Sequence, residues 1–315
     1  MATQTRGTLA AQQSGFLHLD ETRTAHRPIV HRPVVAEPVP ELAAAATVLR
    51  TPCGDGHMVW RRWGEGSPLV LLHGGTGSWR HWAGNIAELA RHHQVYAADA
   101  PGLGDSDMMH EVPEITPESV SAIVANGLSE ILPAGARFDI MGFSFGAMVA
   151  THVAAMHGAR ARSLTIVGPA ALGFSRPAVP LEKVRNKHGQ ERYEANRKNL
   201  GMFMYADPAR ITEAAVAIQD WNTVHARFKS KGFAGSTSLR DAAGRATARL
   251  TAVWGDGDIT SFPSIEARIG ALRSTRPDAL LRVIEGAGHW VAYEAAAEFT
   301  ARALEILRDA EAAGA

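Results

Sequence analysis

The chain has 315 residues, and its 32 Lys and Arg residues balance its 32 Asp and Glu residues, so the formal net charge at pH 7 is zero. That balance argues against nucleic acid or an anionic membrane surface as a bulk partner. The one cysteine, Cys53, cannot form an internal disulfide, which excludes a disulfide framework of the secreted type.

Residues 1–45 differ in composition from the rest of the chain. They are rich in Pro, Ala, Thr and Gln, and three X-Pro steps between Arg27 and Val39 oppose helix there. We therefore predict an extended arm or flexible leader. The alternative is an arm that packs, for which contacts between copies of the chain are the usual use. The segment holds no long apolar run, so neither a secretory signal nor a membrane span is expected, and the cytoplasm is the predicted location.

From Thr47 onwards the pattern is that of an α/β domain. Two β-rich runs, 47–52 and 57–63, are joined by Gly54-Asp55-Gly56 and predict an antiparallel hairpin. Four further strands are predicted over 68–72, 94–98, 137–143 and 163–167. They alternate with three helices, which are predicted over 79–91, 117–132 and 145–157. This alternation predicts a mostly parallel sheet covered by helices on both faces.

The alternation stops after Gly168 and resumes near residue 249. Between these points the sequence has helix-like stretches over 181–204 and 208–228 and no run typical of a strand. An insertion of this length is too long for a plain loop. We predict a helical lid subdomain over 169–248, inserted into a core formed by 46–168 and 249–315. The core is completed by strands over 250–254 and 280–284 and helices over 262–273 and 292–310.

Residues 142–146, Gly-Phe-Ser-Phe-Gly, connect a predicted strand to a predicted helix. A sharp strand-to-helix turn that lifts a side chain clear of the sheet needs small residues on both sides. Gly142 and Gly146 satisfy that need, so the stretch is interpreted as a nucleophile elbow with Ser144 as the nucleophile.

A serine nucleophile needs a base within hydrogen-bond reach and a carboxylate that orients the base. In chain order the sequence supplies Ser144, then Asp258, then His289 in a glycine-rich turn. All three follow the C-terminal ends of predicted strands, the edge where open α/β sheets bind ligands. Asp256 is an alternative to Asp258 for the carboxylate, and its other interpretation is a turn former.

Backbone N–H groups of Gly75 and Phe145 are predicted to hold the oxyanion. The glycine-rich stretch 74–77 lacks the Gly-Lys-Ser/Thr that would favour phosphate binding. No H-E-x-x-H, no cysteine pair and no complete calcium loop accompanies the candidate aspartates. We therefore expect a small-molecule substrate and neither a metal nor an organic cofactor.

Five motifs occur in a fixed order: HGG at 73–75, D-x-P-G-x-G-x-S at 99–106, GFSFG at 142–146, WGDGD at 254–258 and GAGHW at 286–290. As an ordered set they resemble the α/β-hydrolase fold family over residues 47–310. The resemblance implies that fold with a helical lid insertion. It also implies a serine hydrolase in which Ser144, Asp258 and His289 form the catalytic triad.

Within that family, 168–173 and the stretch from Gly288-His289-Trp290 to Phe299 resemble carbon–carbon bond hydrolases of aromatic ring-cleavage products, of the 2-hydroxy-6-oxo-dienoate type. Those enzymes hold the dienolate with a lid arginine just before a tryptophan, whereas Trp221 here follows Asp220. They also tend to carry an asparagine before the nucleophile, where this chain has Phe143. Other lid arginines are either substitute anion clamps or solvated helix residues, namely Arg185, Arg192, Arg197 and Arg227.

The substrate pocket is predicted to be apolar and to be formed by Gly74, Phe143, Trp221 and Trp290. Without an anion clamp, a charged substrate loses charge-assisted binding energy, so ester hydrolysis is favoured, with lactones and amides as related substrates. Carbon–carbon cleavage is the alternative, and a haloperoxidase-like activity would be a side reaction of the same residues. A small-molecule receptor with a slow or inactive triad is a further hypothesis, because fold alone does not decide function.

Overall fold

The computed structural model describes residues 35–109, 114–175, 178–227 and 229–314. Most of the predicted arm lies outside these ranges. Its last residues do not extend away from the domain: Pro40–Ala44 forms a short helix, α1, and the Trp63 indole donates to the carbonyl of Leu42 at 2.9 Å. A proline at the first helical position needs no N–H partner and favours a helix start. The expectation of an extended arm is therefore wrong for this part.

The described residues form an eight-stranded sheet with the order β1-β2-β4-β3-β5-β6-β7-β8. In chain order the strands are β1 (Thr47–Cys53), β2 (Gly56–Trp63), β3 (Ser67–Leu72), β4 (His93–Asp99), β5 (Phe138–Phe143), β6 (Ala161–Val167), β7 (Arg249–Gly255) and β8 (Leu280–Ile284). Pairs β1·β2 and β2·β4 are antiparallel, and the other five pairs are parallel. The predicted mostly parallel sheet is confirmed.

Hydrophobic cores lie on both faces of the sheet. Along β3, Val70 and Leu72 belong to one cluster of buried side chains and Leu69 and Leu71 to the other. Successive side chains of a strand point to opposite faces, so each cluster covers one face. The helices of the core are α2 (Ala83–Leu89), α3 (Pro117–Ile131), α4 (Phe145–His157), α8 (Ile265–Arg273), α9 (Val291–Glu294) and α10 (Ala296–Gly314). None of the described helices combines the length and apolar character needed to cross a bilayer.

Between β6 and β7, every regular element that the structure describes is a helix. It contains α5 (Gly189–Phe203), α6 (Glu213–His225) and α7 (Ser238–Ala243). The first helix begins at Gly189 rather than at the predicted residue 181, because the Asn199 side chain binds the backbone of Glu182, accepting its N–H at 2.8 Å and donating to its carbonyl at 3.0 Å. Helix α6 is joined to the core by the Ser78 hydroxyl, which donates to the side-chain oxygen of Asn222 at 2.6 Å.

Candidate active site

Ser144 occupies the sharp turn between β5 and α4. Its φ of 53° and ψ of −111° lie in a region that L-residues seldom adopt. The turn brings backbone very close to backbone: a Cβ on Gly142 would lie 2.2 Å from the carbonyl oxygen of Gly146, and one on Gly146 would lie 2.4 Å from that of Leu72. Both glycines that flank the serine in sequence are therefore required by the close approach.

The Ser144 hydroxyl is the first member of a continuous hydrogen-bonded chain. Its Oγ lies 3.0 Å from Nε2 of His289, and Nδ1 of His289 lies 2.9 Å from Oδ2 of Asp258. His289 and Asp258 are each 3 % exposed. Because a carboxylate only accepts, Nδ1 carries the proton and Nε2 can accept from the serine. The structure thus brings together the three residues predicted from the sequence.

The two candidate carboxylates have different surroundings. Asp258 also accepts the backbone N–H of Thr260 at 2.7 Å. Burial by itself would raise the pKa of Asp258, but the neighbouring His289 and the hydrogen bonds from His289 and Thr260 hold that pKa below its usual value. Asp256 is exposed and accepts the backbone N–H of Gly286 at 2.7 Å. Asp256 therefore fixes the turn, and Asp258 is the carboxylate on the imidazole.

Gly75 and Phe145, the predicted oxyanion donors, line the same cavity as Ser144. Phe145 is the first residue of α4, so its N–H lies at the positive end of the helix dipole. Gly75 follows the end of β3 in a short loop. The arrangement places two backbone segments beside the serine, as a developing negative charge on a substrate oxygen requires.

Two buried histidines hold the loop that contains Gly75. The N–H of Gly74 donates to Nδ1 of His81 at 3.2 Å, and Nδ1 of His73 donates to the carbonyl of Gly74 at 2.7 Å. His73 accepts the N–H of Ala100 at its other ring nitrogen, so it is neutral. Burial, and then the nearby His73 and His289, hold the pKa of His81 well below its usual value. Sequence reasoning missed His81, because no motif marks it.

A cavity of about 450 Å³ opens on Ser144. Most of its apolar wall comes from the segment between β6 and β7 and from α4, with the side chains of Met148, Leu181, Val184, Leu200, Phe203, Met204 and Phe233. Its polar wall is formed by Glu182, Asn196, Asn199, Gln219, Thr223 and Lys229. A largely apolar cavity with a few polar groups beside a reactive side chain is typical of a small-molecule site.

Phe143 and Trp290 lie behind the cavity wall instead of lining it. Phe143 is 1 % exposed, and its ring centroid lies 4.9 Å from that of His289. Trp290 is fully buried, and its indole N–H donates to the carbonyl of His81 at 2.9 Å. The prediction that these residues line the pocket is wrong, because both aromatic rings belong to the core that supports His289 and the loop containing Gly75.

Trp221 and Gly74 also lie outside the cavity lining. Trp221 stacks on His225 with 3.6 Å between ring centroids, and the guanidinium of Arg80 covers the ring at 3.4 Å. Trp221 therefore anchors α6 to the core. Gly74 is buried, and a Cβ there would lie 2.9 Å from the ring of Phe143. The predicted pocket role of both residues is replaced by a packing role.

The lid arginines considered as anion clamps do not line the cavity. Three of them are held by other groups: Arg192 by Asp220, Arg197 by Glu213 and Arg227 by the carbonyl of Ser106. The fourth, Arg185, is exposed. In the described ranges, no group of three or more His, Cys, Asp or Glu side chains is arranged to hold a metal ion.

Comparison with known sequences identifies the family. The sequence model of the alpha/beta hydrolase family matches residues 69–303, which is most of the chain. The chain belongs to the alpha/beta hydrolase family. The resemblance inferred from the five motifs is thereby confirmed, and so is the expectation of a hydrolase.

The similar proteins include a dienoate hydrolase, an esterase and a meta-cleavage product hydrolase. A 2-hydroxy-6-oxo-6-phenylhexa-2,4-dienoate hydrolase of Comamonas testosteroni is 28 % identical over 262 residues, covering 78 % of this chain and 89 % of that protein. A pimeloyl-[acyl-carrier protein] methyl ester esterase of Aeromonas hydrophila is 33 % identical over 119 residues, covering 38 % of this chain and 44 % of that protein. A solved structure of a mutant meta-cleavage product hydrolase from Pseudomonas fluorescens matches with a TM-score of 0.64 at 19 % identity, covering 83 % of this chain and 98 % of that one.

Proposed function

We propose that this hydrolase cleaves a small, largely apolar carboxylic ester through an acyl-enzyme on Ser144, with lactones and amides as related substrates. The observation that carries the proposal is the chain of hydrogen bonds from Ser144, which lines the cavity, through His289 to Asp258. A hydroxyl, a base and an orienting carboxylate in this order are the parts that nucleophilic acyl transfer needs.

In the acylation step, Ser144 Oγ attacks the substrate carbonyl carbon while Nε2 of His289 takes the hydroxyl proton. The N–H groups of Gly75 and Phe145 hold the resulting oxyanion. Asp258 keeps the proton on Nδ1 and stabilises the imidazolium. The tetrahedral intermediate then collapses, the bond to the leaving oxygen breaks, and the imidazolium returns its proton to that oxygen.

In the deacylation step, water attacks the acyl carbon as His289 takes one of its protons. Collapse of the second tetrahedral intermediate releases the carboxylic acid, and the proton returns to Ser144 Oγ. Atoms and charges balance with water as the only co-substrate, so the proposed cycle needs no further group.

Two observations support an ester over a dienolate held by a lid arginine. The cavity wall is mostly apolar, and the four lid arginines lie elsewhere. Carbon–carbon bond hydrolysis is the second candidate, favoured by the 28 % identity to a dienoate hydrolase over 89 % of its length. In that reaction a tautomerised ketone would be attacked either by the serine or by water.

A parallel assay separates these candidates. Purified protein is tested on short-chain p-nitrophenyl esters and on a vinylogous 1,5-diketone ring-cleavage product, with Ser144→Ala as the blank. Turnover of the esters alone is the expected result. Faster turnover of the diketone acid would favour the second candidate. No turnover of either would contradict both and favour a binding protein. Three expectations stay predictions: the protein has no nucleic-acid or membrane partner, copies of the chain contact one another, and the protein is cytoplasmic.

A further inference from the structure

Three arginines of the described chain are at least nine-tenths buried: Arg80, Arg268 and Arg276. Two of them have carboxylate partners, since Arg80 pairs with Glu37 and Arg276 with Asp278. Arg268, on α8, is 2 % exposed and has no carboxylate within ion-pair distance among the residues that the structure describes. Burying a guanidinium without an anionic partner costs folding free energy. The other two buried arginines have such a partner, and within the described ranges Arg268 does not.

The groups around Arg268 compensate its charge only in part. Its Nε donates to the carbonyl of Phe262 at 3.0 Å, and Nη1 lies 3.4 Å from the carbonyl of Pro169. Its Cζ lies 5.5 Å from the centroid of the Phe174 ring. Burial lowers the pKa of Arg268, and the charge of Asp258 counters that effect. The side chain is thus held in place by weak acceptors and keeps the capacity to bind an anion.

Arg268 contributes to the wall of a side recess beside the candidate nucleophile. The recess is also lined by Ser144, Thr260 and His289, and it shares Ser144, Ala170 and Ala234 with the main cavity. Its volume is about 10 Å³, which is room for one group of about the size of a water molecule. One oxygen of a carboxylate fits that space while the rest of the molecule lies in the main cavity.

We propose that Arg268 forms an anion subsite that binds a carboxylate oxygen of the substrate next to Ser144. The preferred substrates are then short esters that also carry a carboxylate. This deepens the proposed function and rests on it for the bond that is cleaved. The subsite lies on α8, outside the lid segment in which the sequence suggested an anion clamp.

The test compares substrates that differ only in charge. The monomethyl esters of succinic, glutaric and adipic acid, whose poor leaving group prevents spontaneous closure to the anhydride, are paired with their carboxamide counterparts, and hydrolysis is followed by proton release. For at least one length, kcat/KM of the wild-type protein should favour the anionic ester by about tenfold or more, as expected for a charge-assisted hydrogen bond. Arg268→Gln should abolish that ratio, and Arg268→Lys should retain part of it. Arg276→Gln is the matched control, a buried arginine with its own carboxylate partner, and should leave the ratio unchanged.

A second measurement separates the subsite from the proposed reaction. Glutarate is titrated calorimetrically into Ser144→Ala and into the same protein carrying Arg268→Gln. Binding that Arg268→Gln weakens about tenfold supports the subsite even if no ester is cleaved, in which case only the proposed function fails. Ester turnover without any charge preference, together with no glutarate binding, overturns the subsite and leaves the proposed function standing. If neither Arg268 variant folds, the charge ratio and glutarate binding of the proteins with Arg268 intact decide.

Discussion

A methyl group added at Gly168 would press on His289, the proposed base, and on Asp258, which orients it. Gly168 follows β6 with a φ of 51°, and an ideal Cβ there would lie 3.0 Å from His289 Nδ1 and 3.1 Å from Asp258 Oδ2. Ordinary contacts at carbon begin at about 3.5 Å, so the neighbours must move by a few tenths of an ångström. The hydrogen bond between them is 2.9 Å long and sits in a buried, tightly packed place. Gly168→Ala therefore displaces the imidazole relative to Ser144.

We expect Gly168→Ala to lower kcat on a p-nitrophenyl ester about 10- to 100-fold, since small misplacements of a catalytic group have effects of that order. The positive φ itself costs an alanine about 1 kcal/mol of unfolding free energy. Gly158→Ala is the matched control: its φ is 54°, and a Cβ there meets nothing within 4 Å. It shares the backbone strain and lies at the far end of α4 from Ser144.

The assay measures kcat and the urea unfolding midpoint of both variants. Gly158→Ala should keep kcat within about twofold of wild type while losing stability through its backbone strain. Equal kcat values for Gly168→Ala and Gly158→Ala would show that the His289–Asp258 pair tolerates displacement. That result would refute the reasoning that its geometry limits the rate.

Three further predictions concern carboxylates. Asp258→Asn should lower kcat about 10⁴-fold, because an amide does not hold the Nδ1–H tautomer of His289. Asp256→Asn should instead cost about 1 kcal/mol of unfolding free energy at its turn. Equal losses of kcat in the two variants would contradict the assignment of Asp258 as the orienting carboxylate. Glu294→Gln should cost about 2 kcal/mol in urea unfolding, because Oε2 of its buried carboxylate accepts the N–H groups of Gly288 and Ala206 while Oε1 accepts that of Asp207 at 3.2 Å, and an amide has only one acceptor oxygen. An unchanged midpoint would speak against that role. The Asp258 carboxylate should stabilise the fold above its ordinary pKa of 3.8 and lose that contribution as the pH falls through its lowered pKa. The difference in unfolding free energy between wild type and Asp258→Asn should therefore shrink in acid, and a constant difference would contradict the sign.

The fold and the three hydrogen-bonded residues Ser144, His289 and Asp258 were predictable, because the sequence signals for them are local. Continuous apolar runs such as 68–72 mark strands covered on both faces, and the predicted sheet is confirmed. Gly142 and Gly146 mark the turn at Ser144 since no other residue fits two backbone approaches under 2.5 Å. Asp258 and His289 are recognisable because both follow strand ends at the same edge of the sheet.

The pocket and the buried polar groups were not predictable, because they depend on which elements meet. Phe143 and Trp290 belong to the motifs at 142–146 and 286–290, but strand and turn geometry directs both rings into the core. The actual wall comes from lid residues such as Leu200 and Phe203, whose helix has no motif. Arg268 has an ordinary helical sequence around it. Only the packing of α8 against the chain near Pro169 makes it a buried charge beside the site.

The central claim, that Ser144 is the nucleophile, is tested most directly by covalent labelling with a fluorophosphonate and mass spectrometry of the digested protein. A single adduct on the peptide that contains Ser144 is predicted, together with loss of ester turnover in proportion to labelling. Ser144→Ala, the control, should take up no label. Complete labelling at another residue, or ester turnover by Ser144→Ala at the wild-type rate, would contradict the account.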